Sequence, residues 1–371
     1  LLYIQSKIVL CIKFPEGRFL YMALQLVLGG SGAGKSTLVI EDVINKSIDN
    51  RDNNYIVVVP EQYTMSTQRK LVESHPRKGI LNIDVVSFER LAFKVFAEIG
   101  GENRPVLDDT GKNLILRKVL EDSRKDLRYY GGNINRVGFV SELKSVISEL
   151  LQYDHSPEEV LAIADRIEDN ALLNAKMRDI GLVYDRFKQY LHDNYITSEE
   201  ILDVLCDYVD KSDIIKNSEL VFDGFTGFTP IQYKLIKILL ENARKITVTV
   251  TIDVTEKPNV MDGMENLFFM SKEMINKLHV ISDEVCKNQL PLDDILVEGP
   301  SKRFNSEQLA FLEKNIFRGR YERYDSDNNN IRIYNARTVK EEIQYAASEI
   351  IRLTRHEGYR YRDIAIVSGD M

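Results

Sequence analysis

Five short hydrophobic runs are spaced along the chain, and each ends close to a Gly, Pro, Asp or Ser residue. They are rich in Val and Ile, and most are continuous instead of alternating with polar residues. Continuous apolar runs of this length are typical of strands that are buried on both faces of a parallel sheet. The predicted strands are Leu24–Leu28, Tyr55–Val59, Ile83–Val86, Leu220–Phe222 and Ile246–Ile252.

Patterns with helical periodicity lie between these runs. One helix is predicted to open at Thr37, after the first strand, and another at Ile231, after the fourth. Because strands that alternate with helices are joined by crossover connections, this order predicts an α/β fold with a parallel sheet.

The middle of the chain, from about Pro105 to Lys216, has a different pattern. Hydrophobic residues recur there at helical spacing, first in Val140–Leu151 and again in Leu182–Leu191. This periodicity indicates amphipathic helices. We therefore expect an all-helical insertion of about a hundred residues within the α/β domain.

The C-terminal region begins a second pattern of strand, helix and strand. A polar stretch from Asp325 predicts a hinge or loop, and Ile331–Tyr334, a helix from Val339 and Ile364–Val367 follow it. The predicted domains are an α/β domain of residues 22–104 and 217–324, a helical insertion of residues 105–216, and the start of a second α/β domain in residues 325–371.

We expect both ends of the sequence to lie within a longer protein. Residues 1–21 carry Lys7 and Lys13 inside an apolar run and have no small-residue cleavage site, so a signal peptide is not favoured. We interpret them as an upstream extension, with Met22 as the natural start. The strand pattern before Met371 is followed by no further residues, which agrees with a longer parent chain.

Composition and charge restrict the class of protein. At 371 residues the chain has room for two to three domains. The formal net charge of −8 gives no global sign of nucleic-acid binding, although a basic surface can be local.

Cys11, Cys206 and Cys286 form no CxxC pair, which fits a reducing cytoplasm and argues against a disulfide framework or a metal cluster. No apolar run approaches the roughly 18 residues of a membrane span, so no membrane partner is expected.

The clearest chemical motif is the loop after the first strand, LGGSGAGKST. It matches the GxxxxGK(S/T) pattern at every fixed position, between a predicted strand and a predicted helix. Glycines let backbone amides point at phosphate oxygens, and the helix N-terminus adds a partial positive charge. Lys35 is predicted to reach the β- and γ-phosphates of ATP, and Ser36 to ligate Mg²⁺. The predicted nucleotide-binding residues are Gly29, Gly30, Ser31, Gly32, Ala33, Gly34, Lys35, Ser36 and Thr37.

A carboxylate for the same Mg²⁺ is predicted at Asp223, directly after the strand Leu220–Phe222. The next residue is Gly224, where helicase-type motors carry a glutamate that orients water. Since glycine cannot polarise water, and loss of a general base removes about two to four orders of magnitude in rate, the sequence predicts nucleotide binding without efficient hydrolysis. Glu61, after the second strand, is the candidate for a replacement base.

A resemblance to a known family rests on five segments in this order: LGGSGAGKST, VVVPEQYTMSTQRKL, VVSFERLAFKVF, VFDGFTGFTPIQYKLIKILL and EGYRYRDIAIVSGDM. The chain resembles the N-terminal half of the B subunit of the bacterial AddAB (RexAB) helicase–nuclease, from Met22 to its last residue. The phosphate-binding motif alone is unspecific. The combination of VPEQYT with DGFTGFTP is much more distinctive.

The resemblance implies a cytoplasmic heterodimer with an AddA-type motor subunit, which processes double-strand DNA ends for recombination. It implies a superfamily-1 helicase-like fold, RecA-like, that binds ATP and Mg²⁺, has lost motor function and scans the emerging single strand for Chi. Family members are subunits of an ATP-dependent deoxyribonuclease. Their nuclease domain, with a 4Fe–4S cluster, lies towards the C-terminus, so this segment is expected to carry neither nuclease nor cluster residues.

The family pattern maps onto this sequence in agreement with the motifs. Gly29–Thr37 takes the Walker A position, Asp223 takes the Walker B position, and Gly224 is where a working motor differs. The helical insertion corresponds to the accessory subdomain of such helicases. Asp363–Val367 resembles the start of the second RecA-like domain.

Candidate DNA contacts follow the second, third and fourth predicted strands, at the carboxyl edge where open α/β sheets bind ligands. Tyr63 is a candidate for stacking on a base, and the polar residues are candidates for phosphate contacts. For the aromatic residues, core packing is the alternative. The candidates are Gln62, Tyr63, Thr64, Ser66, Ser87, Arg90 and Phe225, with Phe88, Thr226 and Phe228 beside them.

A second candidate DNA surface is a basic group in the predicted insertion, with a local net charge of +4. A solvated helix surface is the alternative interpretation. The group consists of Lys112, Arg117, Lys118, Arg124, Lys125, Arg128 and Arg136, among Glu121, Asp122 and Asp126.

Three functions stay open from the sequence. The favoured one is an ATP-binding, DNA-handling subunit of a helicase/exonuclease complex, without a motor or a nuclease in this segment. The first alternative is an active superfamily-1 helicase motor, which needs a carboxylate in place of the one absent at Gly224. The second is a P-loop kinase or NTPase unrelated to DNA, against which the large insertion and the second α/β unit argue.

Overall fold

The computed structural model describes residues 23–101, 104–136, 138–192, 194–286, 292–299, 301, 303–318, 322–325 and 330–369. The predicted extension 1–21 and Met22 therefore lie outside the described residues. The chain forms two compact units, of which the first ends at Arg303 and the second begins at Phe304. The domain boundaries derived above from the sequence pattern stay predictions.

The first unit is built on a sheet of six strands in the order β3-β2-β6-β7-β1-β8, and every pairing in it is parallel. Two short parallel strands, β4 and β5, form a separate sheet. The strands are β1 Leu24–Gly29, β2 Asn54–Val58, β3 Ile83–Val86, β4 Val106–Leu107, β5 Ile196–Thr197, β6 Ser218–Phe222, β7 Lys245–Thr251 and β8 Ile295–Val297.

All five strands predicted from hydrophobic runs are present, each displaced by no more than two residues. They form the sheet from β3 to β1, and most of their side chains are buried. β8 was not predicted. Its three residues are largely exposed or half-exposed, and an edge strand of this kind leaves no continuous apolar run in the sequence.

Helices cover the faces of the sheet and are the main elements outside it among the described residues. Several begin at a residue whose side chain accepts a backbone N–H in the first turn, as Ser87, Asp108 and Ser156 do, which satisfies a donor that the helix itself leaves free. The helices are α1 Lys35–Asp49, α2 Thr64–Ser74, α3 Phe88–Ile99, α4 Asp109–Ser123, α5 Phe139–Gln152, α6 Pro157–Asp165, α7 Ala171–Leu191, α8 Ile201–Cys206, α9 Asp213–Lys216, α10 Pro230–Asn242, α11 Phe269–Val285, α12 Glu307–Asn315 and α13 Val339–His356.

Two hydrophobic clusters lie on the opposite faces of the six-stranded sheet. Because side chains alternate along a strand, Leu26 and Leu28 of β1 join one cluster, which includes α3, α10 and α11, whereas Val27 joins the other with α1. Leu26 and Val27 are both fully buried. The continuous apolar run that predicted β1 follows from this coverage of both faces.

A third hydrophobic cluster joins α4, α5 and α7 in the middle of the chain. Leu116, Ile147 and Phe187 are almost completely buried in it. The helical pattern predicted for this region is present, but the expectation that the insertion is all-helical is wrong, because β4 pairs with β5 between Pro105 and Lys216. Strands of two residues are too short to leave an alternating or continuous apolar run in the sequence.

The second unit contains α12 and α13, and the predicted helix from Val339 is confirmed. The two flanking strand predictions, Ile331–Tyr334 and Ile364–Val367, are wrong, because neither segment forms a strand. An apolar run reports a tendency to be extended, but a strand also needs a neighbour that takes its backbone hydrogen bonds. Instead of joining a sheet, Tyr334 stacks on Tyr345 of α13 with ring centroids 3.8 Å apart.

Candidate functional site

The loop between β1 and α1 connects the carboxyl edge of the sheet to the start of a helix. β1 ends at Gly29 and α1 begins at Lys35. Gly34 precedes the helix with a φ of 110°, a left-handed conformation that favours glycine. Gly29 has no room for a side chain, since a Cβ there would lie 2.9 Å from the carbonyl oxygen of Val297 in β8. The motif therefore occupies the strand–loop–helix setting that its sequence predicts.

The side chain of Lys35 is folded over this loop and is 8% exposed. Its Nζ donates hydrogen bonds to the carbonyl oxygens of Gly29 and Gly30, each at 2.9 Å. Burial lowers the pKa of Lys35, the charge of Asp223 acts to raise it, and the charge of Arg303 lowers it further. The buried ammonium group is thus held against the loop by two of its carbonyl oxygens.

Asp223 and Ser36 come together although they are 187 residues apart in the sequence. Ser36 Oγ donates a hydrogen bond to Asp223 Oδ1 at 3.0 Å, and Thr249 Oγ1 donates to the same oxygen at 2.6 Å. Asp223 directly follows β6, and Thr249 lies on β7, the strand between β6 and β1. Hydroxyl and carboxylate oxygens are the ligands that Mg²⁺ prefers, so this pair fits the metal predicted from the sequence.

Gly224 has a φ of 83°, and its backbone N–H donates to Thr249 Oγ1 at 3.4 Å. A Cβ on this residue would have ordinary contacts, at 3.7 Å from Pro60 and 3.8 Å from Tyr63. The backbone conformation, and not a lack of space, is therefore what favours glycine here. Glu61, the candidate replacement base, forms an exposed ion pair with Arg90 at 2.9 Å.

Some of the candidate DNA-contact residues are exposed near the ends of β2 and β3. Gln62 is exposed and Tyr63 is 49% exposed, both in a short 3-10 helix that follows β2. Ser66 is exposed, but its hydroxyl donates to the carbonyl oxygen of Tyr63. Arg90 is half-exposed, in its ion pair with Glu61.

Other candidates serve the fold. Thr64 is buried, and its hydroxyl donates to the carbonyl oxygen of Glu61. Ser87 is buried and caps α3 by accepting the N–H of Arg90. Phe225 packs on Phe88 with ring centroids 5.3 Å apart, beside Phe222 and Phe228.

The basic group predicted in the helical region does not form a surface of seven cations. Lys112 is buried and paired with Glu199 at 2.8 Å and with Asp109 at 3.1 Å, so including it was wrong. Hydrophobic periodicity places its stem on the inner face of α4, where an ion pair stabilises the buried charge. The other basic residues of that group are exposed.

A contact that the sequence did not reveal lies on the outer side of the loop. Arg303 Nη1 donates to Ser31 Oγ at 3.2 Å, across 272 residues of sequence. Ser301 faces Gly32 so closely that a Cβ at Gly32 would collide with its hydroxyl. No sequence motif that we recognised marks Ser301 and Arg303 as contacts of the loop. They follow β8, and the pairing of β8 with β1 brings them close to it.

A family model described as ADDB, N-terminal, matches residues 26–313 of the chain. The B subunit of the ATP-dependent helicase/deoxyribonuclease of Lachnoclostridium phytofermentans is 45% identical over 356 residues, which cover 94% of this chain and 31% of that protein. Proteins of the same name from Thermoanaerobacter sp. and from Caldanaerobacter subterraneus subsp. tengcongensis are 33% and 34% identical, each over 94% of this chain and 30% of its own length. The chain therefore spans about a third of the length of these curated relatives.

Among the described residues, helices that combine the length and the apolar character needed to cross a bilayer are absent.

Proposed function

The chain belongs to the ADDB N-terminal family, and from this premise we propose that it is the nucleotide-binding, DNA-handling part of a helicase/deoxyribonuclease subunit. The relatives carry the name of the B subunit of such an enzyme, which supports a role in DNA processing within a complex. We further propose an AddA-type helicase/nuclease as the partner subunit, DNA ends and single-stranded DNA as substrates, and Chi as the sequence that is scanned. The proposed location is the cytoplasm.

A RecA-like P-loop fold is part of this proposal. A parallel sheet in which β6 and β7 lie beside β1, with a glycine-rich loop between β1 and α1, supports it. The helical region between β4 and α9 is then the accessory insertion, and the second unit is the start of a second RecA-like domain.

The proposed ligand of the loop is MgATP. Backbone amides of Gly29–Gly34 and the ammonium of Lys35 would bind phosphate oxygens, since the loop and the buried cation converge at one edge of the sheet. Ser36 and Asp223 would hold Mg²⁺, which neutralises phosphate charge when it is bound. Thr249 fixes the Asp223 carboxylate by donating to one of its oxygens.

The observation that carries the proposal is the hydrogen bond from Ser36 Oγ to Asp223 Oδ1 at 3.0 Å. The residue after Asp223 is Gly224, which has no side chain. This arrangement supplies ligands for a nucleotide-bound metal but no base at Gly224. We therefore propose that the nucleotide is bound and hydrolysed slowly, so that binding itself is the function of the site.

An active helicase motor is the alternative, and it requires a base from elsewhere. Glu61 is the candidate, because its short helix lies beside Gly224, where Tyr63 would be 3.8 Å from an added Cβ. Its ion pair with Arg90 favours a structural role instead. A Glu61→Gln variant that lost a motor-like, DNA-stimulated turnover would support this alternative.

The test of the main proposal compares nucleotide binding with turnover in the same preparation. Calorimetric titration with MgATP is expected to show binding that Lys35→Ala weakens at least a hundredfold, since the substitution removes a buried charge-assisted contact. ATP turnover with single-stranded DNA is expected to stay near background. Lys257→Ala, at an exposed lysine outside every candidate nucleotide or DNA contact, is the matched control and is expected to bind MgATP normally.

Two results contradict the proposal. If folded wild-type protein does not bind MgATP, the loop is not a nucleotide site. DNA-stimulated turnover at motor-like rates removes the claim of slow hydrolysis.

The proposed DNA contact is tested at Tyr63, whose ring is about half exposed at the carboxyl edge of the sheet. Stacking on a base is worth roughly 1 to 3 kcal/mol, so Tyr63→Ala is expected to lower the affinity for a single-stranded oligonucleotide about 5- to 150-fold. Fluorescence anisotropy measures this. Tyr153→Ala, at a tyrosine of similar exposure beyond α5, is the control, and equal affinities of the two variants would contradict the assignment.

A further inference from the structure

A long loop connects β7 to α11 in the first unit. Residues 252–268, all of them described, contain neither helix nor strand. Loops longer than about 12 to 15 residues without secondary structure are uncommon in compact domains and usually have a function. The two ends of this loop are joined, because Ser271 Oγ donates a hydrogen bond to the carbonyl oxygen of Thr251 at 2.7 Å.

A buried lysine holds the loop in a folded shape. Lys272, in the first turn of α11, is 1% exposed, and its ammonium group pairs with Glu256 at 2.6 Å and with Asp262. The side-chain amide of Asn266 adds a hydrogen bond to Asp262 at 3.0 Å. Because a buried charge is costly unless it is paired, these contacts fix two separate points of the loop against the start of the helix.

Apolar side chains are exposed along the same loop and at the first turn of α11. Three of the eight methionines of the chain lie within ten residues of each other there, and Met264 and Met270 are 85% and 64% exposed. Single apolar residues are normal on a surface, but a group of them in one folded segment marks an interaction site. We name this group the methionine surface, and it consists of Val254, Val260, Met261, Met264, Leu267 and Met270.

Negative charge accompanies the methionine surface and distinguishes its possible occupants. Residues 252–272 have a local net charge of −2, and the exposed Asp262 and Glu265 directly follow Met261 and Met264. Nucleic acids and anionic membranes are repelled by this charge. Two copies of the chain that met through this surface would place like charges opposite one another. The complementary occupant is therefore a protein segment with positive charge.

The side chains of the methionine surface suit an apolar helix. The thioether of methionine is unbranched and polarizable, and surfaces rich in methionine adapt their shape to the helix that they bind. An amphipathic helix presents apolar residues at positions i, i+3, i+4 and i+7, with charged residues on either side of this face. A helix with lysine or arginine at those flanking positions matches both the apolar character and the charge of the surface.

We propose that the methionine surface is a docking site for a cationic amphipathic helix of another protein chain. The apolar face of that helix packs against the methionines, and its basic side chains pair with carboxylates of the loop, of which Glu265 is one. This inference goes beyond the proposed function and does not depend on the nucleotide site, so its test contains no nucleotide.

The experiment labels the methionine methyl groups of the chain with carbon-13 and follows them by NMR. The probe is a peptide of about 18 residues, or five helical turns, made of lysine and of leucine at helical spacing. We expect saturable shifts of Met261, Met264 and Met270. Met65, which is 73% exposed on α2, is the matched reference and is expected to stay unchanged. A peptide of the same composition without helical periodicity is expected to bind at least tenfold more weakly.

Substitutions test the apolar and the charged part of the interaction separately. Combining Met264→Gln with Met270→Gln is expected to weaken peptide binding at least tenfold, because polar amides replace two apolar contacts. Met65→Gln is the matched control and is expected to leave the affinity unchanged. Glu265→Lys is expected to weaken binding about threefold or more and to make the affinity less dependent on salt, since it removes an attraction between opposite charges. Circular dichroism verifies that each variant is folded.

Other outcomes overturn the inference. If the peptide shifts none of the three methionines, or shifts Met65 equally, the surface is not a specific docking site. If a single-stranded oligonucleotide shifts the same signals at lower concentration than the peptide, the surface belongs to a nucleic-acid site instead. Self-association of the chain in sedimentation, abolished by Met264→Gln, assigns the surface to a second copy. Each of these outcomes leaves the proposed binding of MgATP untouched, because that is measured separately.

Discussion

At the scale of the residue, Gly224 affects both the backbone and the chemistry of the site. Its φ of 83° turns the chain directly after Asp223, and its N–H reaches Thr249, which also holds the Asp223 carboxylate. The absence of a side chain removes the carboxylate that a motor places there. One residue therefore shapes the backbone beside Asp223 and, in the proposed function, leaves the nucleotide site without a base at this position.

The first prediction follows from this backbone conformation. Gly224→Ala is expected to lower the free energy of unfolding by about 1 to 2 kcal/mol, because a Cβ is strained at positive φ although the nearest atoms are at 3.7 and 3.8 Å. Urea denaturation followed by circular dichroism measures the change. Gly79→Ala, where φ is not positive and the nearest atom is 3.9 Å away, is expected to change stability by less than about 0.5 kcal/mol. Equal losses in the two variants would contradict the conformational argument.

At the scale of the element, β8 is the short edge strand that precedes Ser301 and Arg303, the two residues that contact the loop. Its three residues pair with β1, and the preceding Asp294 forms an ion pair with His279 of α11 at 3.2 Å. Three residues of ladder give little stability by themselves, so the ion pair is a second attachment of this edge to the unit.

The second prediction concerns the pH dependence of this attachment. The hydrogen bond to Asp294 raises the pKa of His279 above its ordinary 6.5, burial opposes the shift, and the charges of Asp294 and Asp283 support it. Because the folded protein binds this proton more tightly, the contribution to stability is complete below about pH 6.5 and is lost as the pH rises through the raised value.

Urea denaturation between pH 5.5 and 9 measures this contribution as the difference between wild type and His279→Gln. The difference is expected to be largest at the acidic end and to decrease towards pH 9. His356→Gln, at an exposed histidine of α13, is the control and is expected to change the free energy of unfolding by less than about 0.5 kcal/mol at pH 5.5. A difference that grows with pH would show that the sign of the linkage is wrong.

At the scale of the whole molecule, the first unit contains separate hydrophobic clusters on the two faces of the sheet and among α4, α5 and α7. The helical cluster depends on a buried carboxylate. Asp179 of α7 is 2% exposed and accepts the N–H groups of Arg128, Tyr129 and Tyr130 at 2.8 to 2.9 Å. It thereby ties the turn after α4 to α7.

The third prediction is that Asp179→Ala destabilises the helical region selectively. Three backbone N–H groups lose their acceptor, which is expected to cost about 3 kcal/mol or more. Hydrogen exchange is expected to speed up in α4, α5 and α7 while β1 and β7 keep their protection. Asp185→Ala on the same helix, where the carboxylate accepts one exposed hydrogen bond from Gln189, is the control. Equal loss of protection in sheet and helices would indicate a single cooperative unit instead.

The sequence determined the parts of the protein that depend on local pattern. Continuous apolar runs predicted five strands of the main sheet, because strands covered on both faces need apolar residues at every position. These strands are β1, β2, β3, β6 and β7. The fixed spacing of LGGSGAGKST gave a loop between a strand and a helix, since that backbone path needs glycine at particular positions. The resemblance on VPEQYT and DGFTGFTP gave the family, which the match over residues 26–313 confirms.

Only the tertiary structure decided which distant residues meet and which side chains are free to act. Arg303 reaches Ser31 because the order of strands places their chain segments side by side. The contact of Asp223 with Ser36 depends on the same strand order, although the two motifs had already predicted that these residues lie together. The same packing buries Lys112, which a count of charges had placed on a surface. Strand order and burial result from contacts between residues far apart in the chain, and a periodic pattern carries no information about those contacts.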